Sequence, residues 1–189
     1  MTNQTLPLLV PTLHIAPELL LKAQDVNAVF FDVDGVLTDG GLLFSETGES
    51  LKRFNTLDGH GLKMLQEAGI TPVIITGRDS QPLRVRLQAL GIVHAYFNTE
   101  DKYPAAEKAL SELGLDWSQA AAMGDDWPDL PVMRRCPFSA APENAHGEVK
   151  AVATLVTQRA GGSGAVRELC DTLLVATGRY RGLLEKYGR

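Results

Sequence analysis

The chain has 189 residues, 44% hydrophobic and 22% charged, enough for one globular domain with a sizeable buried core. Its net charge of -5, with no basic stripe, argues against a general nucleic-acid binder. Two cysteines, Cys136 and Cys170, make neither a disulfide framework nor a metal-ligand spacing. They are expected as buried free thiols in a reducing compartment. No apolar run approaches a membrane span, and residues 1–17 lack the features of a signal peptide, so a soluble cytoplasmic protein is expected.

In chain order, residues 17–24 read as a short amphipathic helix carrying Leu19, Leu20 and Leu21. An apolar, β-favouring run over 27–32 is the first core strand, ending in Asp32-Val33-Asp34-Gly35. Alternation along a strand places Asp32 and Asp34 on one side, and Gly35 permits a sharp turn off the strand end. Residues 41–54 alternate about Glu46-Thr47-Gly48-Glu49, a hairpin signal. A helix over 59–68 stops at Gly69. A buried strand over 71–76, a helix over 80–90 and a strand over 93–97 follow. A helix over 103–113, closed by Gly114, leads to a small-residue strand over 120–123. Then come a short helix over 128–135, strands over 137–140 and 154–157, and a long helix over 164–177. The tail from 178 is basic and matches no element. Strands alternating with helices predict an α/β fold: a single Rossmann-like parallel sheet with helices on both faces and a protruding β-hairpin. No repeat or linker divides the chain, so one domain over 1–189 is expected.

Ligands of such sheets gather at the carboxyl ends of the strands. Asp32 and Asp34 end the first strand, and Thr76-Gly77-Arg78 the second. Lys102 stands near the start of the helix after the third, and Gly124-Asp125-Asp126, with Asp129 beyond, follows the fourth. Carboxylates from Asp32 and Asp125 suit Mg2+, a hard cation that accepts a few protein oxygens plus phosphate. The Thr76 hydroxyl, the Gly77 amide and the Lys102 ammonium suit the remaining phosphate oxygens. Phosphoryl transfer is the chemistry these groups point to.

With Asp-x-Asp-Gly-x-x-Thr at 32–38, then Thr76, Lys102 and Gly124-Asp125-Asp126 in order, the chain resembles the haloacid dehalogenase-like phosphatases. The resemblance spans nearly the whole chain. It implies Asp32 as the nucleophile forming an aspartyl-phosphate, and Asp34 as the acid for the leaving alkoxide and then the base for water. It implies Asp32, the backbone carbonyl of Asp34, and Asp125 as Mg2+ ligands. Only a hairpin and one helix separate Asp34 from Thr76, which leaves no room for the cap domain many relatives carry. Three segments (Phe54 to Gly61, Ile75 to Arg78 and Ala160 to Glu168) resemble the Kdo-8-phosphate (3-deoxy-D-manno-octulosonate 8-phosphate) phosphatases, a capless, homotetrameric branch acting in lipopolysaccharide biosynthesis. That resemblance implies sugar-acid contacts from Asn55, Thr56, Leu57, Asp58, Gly59, Lys63, Arg78 and Arg86. It also implies tetramer contacts through the hairpin, and a C-terminal tail able to cover a neighbour's site. Leu57 and Lys63 stand where related segments can carry arginine.

Blander readings compete locally. Aspartates favour strand-end turns, a lysine near a helix start is commonplace, and Asp126 and Asp129 suit a helix start. Arg78 and Arg86 fit a solvated helix face about equally well. Residues 161–164 read either as an anion-binding helix N-terminus or as a flexible connection. Trp117 and Trp127 read as packing anchors, and the four histidines show no ligand spacing. A receiver-like signalling module would need its phosphate-accepting aspartate on a later strand, where Ile74-Ile75 stand instead. A phosphatase for a related nine-carbon sugar acid phosphate is the alternative enzyme reading.

Overall fold

A computed structural model describes residues 12–187. Most of the segment expected to lack a leader, and the last two residues of the tail, lie outside the described residues. Helix α1 (Pro17–Ala23) leads into β1 (Ala28–Phe31). The hairpin β2 (Leu43–Ser45) and β3 (Gly48–Leu51) follows, then α2 (Thr56–Glu67), β4 (Thr71–Ile75), α3 (Gln81–Leu90), β5 (Ala95–Tyr96) and α4 (Lys102–Leu113). Strand β6 (Ala120–Met123) precedes a 3-10 turn, Trp127–Asp129, and α5 (Leu130–Met133). The order continues with β7 (Phe138–Ala141), α6 (Gly147–Val152), β8 (Leu155–Val156), α7 (Ala165–Ala176) and α8 (Tyr180–Tyr187).

Six strands form one parallel sheet in the order β5-β4-β1-β6-β7-β8, and the hairpin stands apart as a two-stranded antiparallel sheet. From β1 the chain builds outward to β4 and β5, then returns to the other side of β1 for β6, β7 and β8. The order therefore reverses between β1 and β6, and the crevice beyond their carboxyl ends is the natural ligand position of such a sheet. The strands are apolar on both faces, as a covered parallel sheet requires. Val29, Phe31, Ile74 and Met123 join Leu62 and Leu65 of α2 and Leu169 and Leu173 of α7 in one core. Ala28, Phe30, Val73 and Ile75 join Ala106 and Leu110 of α4 and Val149 of α6 in the other. Both cysteines are buried and free, as expected.

Several boundaries differ from the sequence expectation, each for a local reason. Helix α2 starts three residues early because the Asn55 side chain accepts from the Leu57 N–H (2.8 Å). Gly59 and Gly61 hide that start from a propensity reading. Helix α8 forms from the unassigned tail: Leu183 is buried, Tyr187 meets His60 edge-on (5.6 Å between ring centroids), and Lys186 pairs with Glu67. Trp117 packs against Phe30 and stacks on Tyr103, as a packing anchor should. Trp127 does not; it is 59% exposed, because it follows directly on the loop after β6 and meets only the edge of His146.

The glycine loop at 161–164 is neither a flexible connection nor an open helix N-terminus. The amides of Gly164 and Arg167 donate to the Asp58 carboxylate (3.3 and 2.9 Å), so α7 is capped from within the chain. The Gly162 amide donates to the Val36 carbonyl (3.0 Å). Asn144 joins the two loops, accepting from the Gly161 amide (2.6 Å) and donating to the Gly35 carbonyl (3.1 Å). A Cβ on Gly161 would run into that Gly35 carbonyl. Gly161→Ala is therefore expected to destabilise the protein by about 1–3 kcal/mol through backbone displacement. Gly147→Ala, with open space around it, should stay within about 0.5 kcal/mol of the parent. Chemical denaturation of both variants checks this, and equal effects would count against the loop packing.

Candidate active site

The ladder of the sheet sets the positions of the residues at its carboxyl edge. The Asp32 amide donates to Met123 (3.1 Å), Thr76 to Tyr96 (3.0 Å) and Gly124 to Ala140 (3.3 Å), each one bond past its strand. One cavity of about 470 Å³ lies there, lined by Asp32, Asp34, Thr76, Lys102, Asp125 and Asp129, with Gly77 and Arg78 at its side. Asp32 and Asp34 do reach the same cavity, though not by strand alternation. The strand stops at Phe31, and Asp34 opens a turn in which Leu37 and Thr38 donate to the Val33 carbonyl (2.9 and 3.0 Å). Thr38, buried, accepts from the Gly40 amide (3.2 Å) and ties off this turn. Gly35, at φ +102°, both permits the turn and leaves room for Asp125, whose carboxylate a Cβ there would strike.

Lys102, the first residue of α4, is 6% exposed. Its ammonium lies 2.5 Å from Asp32 and 2.6 Å from Asp129. Burial pulls its pKa down, but Asp129 and Asp32 outweigh that and the net shift is upward. Asp129 also accepts from the amides of Asp125 (3.0 Å) and Asp126 (3.3 Å). It is thus both a loop cap and a third member of the acid cluster, where the sequence points to a capping residue or a support behind the metal ligands. Oxygens of Asp32, Asp125 and Asp129 fall within 4.8 Å of one another. Burial first, then the neighbouring Asp129, pushes Asp32 up to about 6. Burial and the charge of Asp32 push Asp125 up to about 8. Three carboxylates face one ammonium, so the cluster lacks positive charge, and its donors are all oxygen. That set fits a hard divalent cation. Asp126 also lines the cavity and accepts from the Trp127 amide (2.8 Å).

The remaining predicted contacts divide. Thr76 is buried, its hydroxyl accepting from the Arg78 amide (3.2 Å), and Gly77 is exposed beside it. Arg78 stands at the edge in the loop before α3, not on a helix face, with Nε 3.8 Å from Asp34. Asn55, Asp58, Gly59 and Arg86 meet instead in a small separate cavity between α2 and α3. Asp58 is spent on capping α7, and Arg86 donates to the Asn55 carbonyl (3.2 Å) over Gly59. Leu57 lines a different groove, with Leu155 and Arg167, and Thr56 and Lys63 are exposed on α2. Two residues with no sequence signal join the acid edge. Lys52 pairs with Asp34 and lies 2.7 Å from Glu49; a lysine and a glutamate in a hairpin look like ordinary surface charges until the fold brings them inward.

Comparison with known proteins agrees with this geometry. Residues 91–169 match a family model described as haloacid dehalogenase-like hydrolase. The chain is 40% identical over 165 residues to 3-deoxy-D-manno-octulosonate 8-phosphate phosphatase KdsC of Salmonella typhimurium, covering 87% of this chain and 88% of that one. A crystal structure of 3-deoxy-D-manno-octulosonate 8-phosphate phosphatase from Yersinia pestis matches with a TM-score of 0.86 at 39% identity, over 89% of this chain and 91% of that one. The corresponding phosphatase from Moraxella catarrhalis, solved with a magnesium ion, a phosphate ion and a KDO molecule, matches with a TM-score of 0.87 at 35% identity, over 90% and 98%.

The raised acids have a consequence for stability. A carboxyl whose pKa rises on folding contributes its stability in full below its unfolded value, near 4, and loses it as pH climbs through the folded value. With Asp32 near 6 and Asp125 near 8, the metal-free protein is expected to lose several degrees of melting temperature between pH 5 and pH 8.5. Added Mg2+ should restore more of it at pH 8.5 than at pH 5. Melting scans with EDTA and with Mg2+ check both; a metal-free protein more stable at the higher pH would contradict the assignment.

Proposed function

The chain belongs to the haloacid dehalogenase-like hydrolases, and on that premise we propose that it is a Mg2+-dependent phosphatase converting Kdo-8-phosphate to Kdo and inorganic phosphate. The observation that carries this reading is the Asp32 carboxylate, held by Lys102 at the switch point between β1 and β6, with Asp125 and Asp129 beside it and Thr76 across the cavity. One nucleophile, one ammonium, an acid cluster fit for a cation and a hydroxyl are what in-line phosphoryl transfer needs.

In this reading an Asp32 oxygen attacks phosphorus and the P–O bond to the sugar breaks, leaving an aspartyl-phosphate. Asp34 gives its proton to the departing alkoxide, then takes one from the water that attacks the aspartyl-phosphate and releases inorganic phosphate. Thr76, the Gly77 amide and Lys102 hold the phosphate oxygens as charge moves among them. Mg2+, held by Asp32, Asp125 and the Asp34 carbonyl, would neutralise charge on the phosphoryl group. Arg78, exposed at the cavity edge, is the donor placed to take the sugar-acid carboxylate in a planar, charge-assisted pair. Arg86 and Asp58 are committed to the fold and carry no substrate contact in this reading.

The open cavity and the hairpin belong to the same proposal. Leu43, Phe44 and Leu51 are 52, 63 and 63% exposed on a hairpin of two short strands. An isolated hairpin is marginal in water, and exposed apolar clusters of this kind mark assembly faces. The reading is of a cytoplasmic homotetramer joined through the hairpins, each chain one hydrolase domain.

Two outcomes are expected. Phosphate release from a panel of sugar phosphates should favour Kdo-8-phosphate over a nine-carbon sugar acid phosphate, vanish in EDTA, and fall at least about 1,000-fold in Asp32→Asn, since the covalent step is lost. A folded protein that turns over no phosphate ester with Mg2+ would remove the enzyme reading. Separately, Phe44→Ser with Leu51→Ser should shift the sedimentation of the protein from tetramer toward smaller species; an unchanged tetramer would place the assembly face elsewhere.

A further inference from the structure

Lys52 follows β3 directly, at the foot of the hairpin, and its side chain is 1% exposed. Lysine is almost never buried without partners, and here it has two. Its ammonium bonds the Asp34 carboxylate and lies 2.7 Å from Glu49. Arg78 closes the figure on the other oxygens of the same two acids, Nε 3.8 Å from Asp34 Oδ2 and Nη1 4.0 Å from Glu49 Oε2. Two acids and two cations thus alternate around a ring, in which the Lys52 ammonium can donate to an Asp34 oxygen whether or not that carboxyl carries its proton.

The two cations in that ring are held differently. Arg78 is 46% exposed and its contacts are long, so water screens them and the guanidinium can turn to a ligand. Lys52 is enclosed and has nowhere else to go. Among the described residues it supplies the one hydrogen bond that the Asp34 carboxylate receives. Asp34 itself sits on a turn, which leaves its side-chain direction to be set by a partner. Glu49 shares the ammonium, so Lys52 can orient Asp34 without committing its whole charge to it.

Resting on the phosphatase reading above, we propose that Lys52 is a positioning residue for the leaving-group step. It aims the Asp34 carboxylate into the cavity, and Glu49 fixes Lys52 from the hairpin. Because Glu49 lies on β3 and Lys52 follows that strand directly, the placement of the hairpin is passed to the proton donor. In this open site, the hairpin then does by attachment what a closing lid does elsewhere: it completes the arrangement of groups around the bond that breaks.

The step is testable through its leaving group. An alkoxide needs the proton from Asp34, whereas the nitrophenolate of p-nitrophenyl phosphate leaves without one, and kcat/KM reports events up to leaving-group release. Lys52→Met keeps the apolar stem and removes the ammonium. It is expected to lower kcat/KM for Kdo-8-phosphate by on the order of 10-fold or more, and for p-nitrophenyl phosphate by less than about 3-fold. Lys52→Arg should recover part of the sugar phosphate loss, and the affinity for inorganic phosphate, measured by calorimetry, should be unchanged. If Lys52→Met does not fold, Lys52→Met with Glu49→Gln removes the stranded hairpin carboxylate and should show the same selective loss. Equal losses on both substrates, or none on either, would overturn the role of Lys52 and leave the phosphatase reading standing. A parent protein that hydrolyses neither substrate would remove that reading, and the role of Lys52 with it.

Discussion

The contact on which the rest of the site depends is Lys102 between Asp32 and Asp129. Its ammonium comes from the first residue of α4, and its partners come from the end of β1 and the turn after β6. One buried charge therefore ties three elements at the carboxyl edge of the sheet. Burial alone would favour a neutral lysine; the two carboxylates reverse that. They do so without balancing the cluster, because Asp125 remains as a third acid with no cation of its own among the described residues. Burial first, then the charges of Asp32 and Asp129, raise its pKa. A site short of positive charge is unfavourable for the fold and useful for binding a cation and a phosphate, and the contact with Lys102 is what makes the shortage tolerable.

Around this contact the chain supports one short turn from several directions. The turn at 34–38 carries Asp34, and its peptide groups are engaged by the Thr38 hydroxyl, Asn144 and Gly162. Asn144 and Gly162 come from the far end of the chain, and Asp58 fixes the loop bearing Gly162 by capping α7. Gly161 matters because it lacks a side chain where two backbones touch. The sheet ladder sets the height of Asp32, while these loop contacts set where Asp34 begins.

Much of this was legible in the sequence, for reasons tied to periodicity. Buried parallel strands such as 71–76 are apolar on both faces and stand out as runs, and Gly91 and Gly114 mark helix ends through their left-handed φ. The carboxyl-edge groups Asp32, Thr76, Lys102 and Asp125 follow once strand ends are located, because topology alone brings them together. What escaped has no local signature. The start of α2 lies behind two helical glycines, and α8 takes its order from contacts of Leu183, Tyr187 and Lys186 rather than from its own composition. The short helix α6 (Gly147–Val152) has no element in the sequence reading, since six residues give too little periodicity to show. Asp58 and Arg86 look like polar residues near a site; only packing shows that one caps a helix over 100 positions away and the other supports a loop. Lys52 escaped for the opposite reason, since a hairpin lysine reads as solvated until its side chain is found enclosed.

The hairpin, with strands of three and four residues, is too small to enclose a substrate. Its side chains Leu43, Phe44 and Leu51 are exposed, while Glu49 and Lys52 are held against the turn that carries Asp34. An element with exposed apolar side chains is fixed fully only when they are covered, and whatever fixes the hairpin fixes Glu49 and Lys52 with it. In the assembly we propose, neighbouring copies need not contribute a group to the reaction: holding the hairpin still holds Lys52, and through it Asp34. Arg78, loosely paired on the open side, remains the one member of the charged ring free to respond to the substrate.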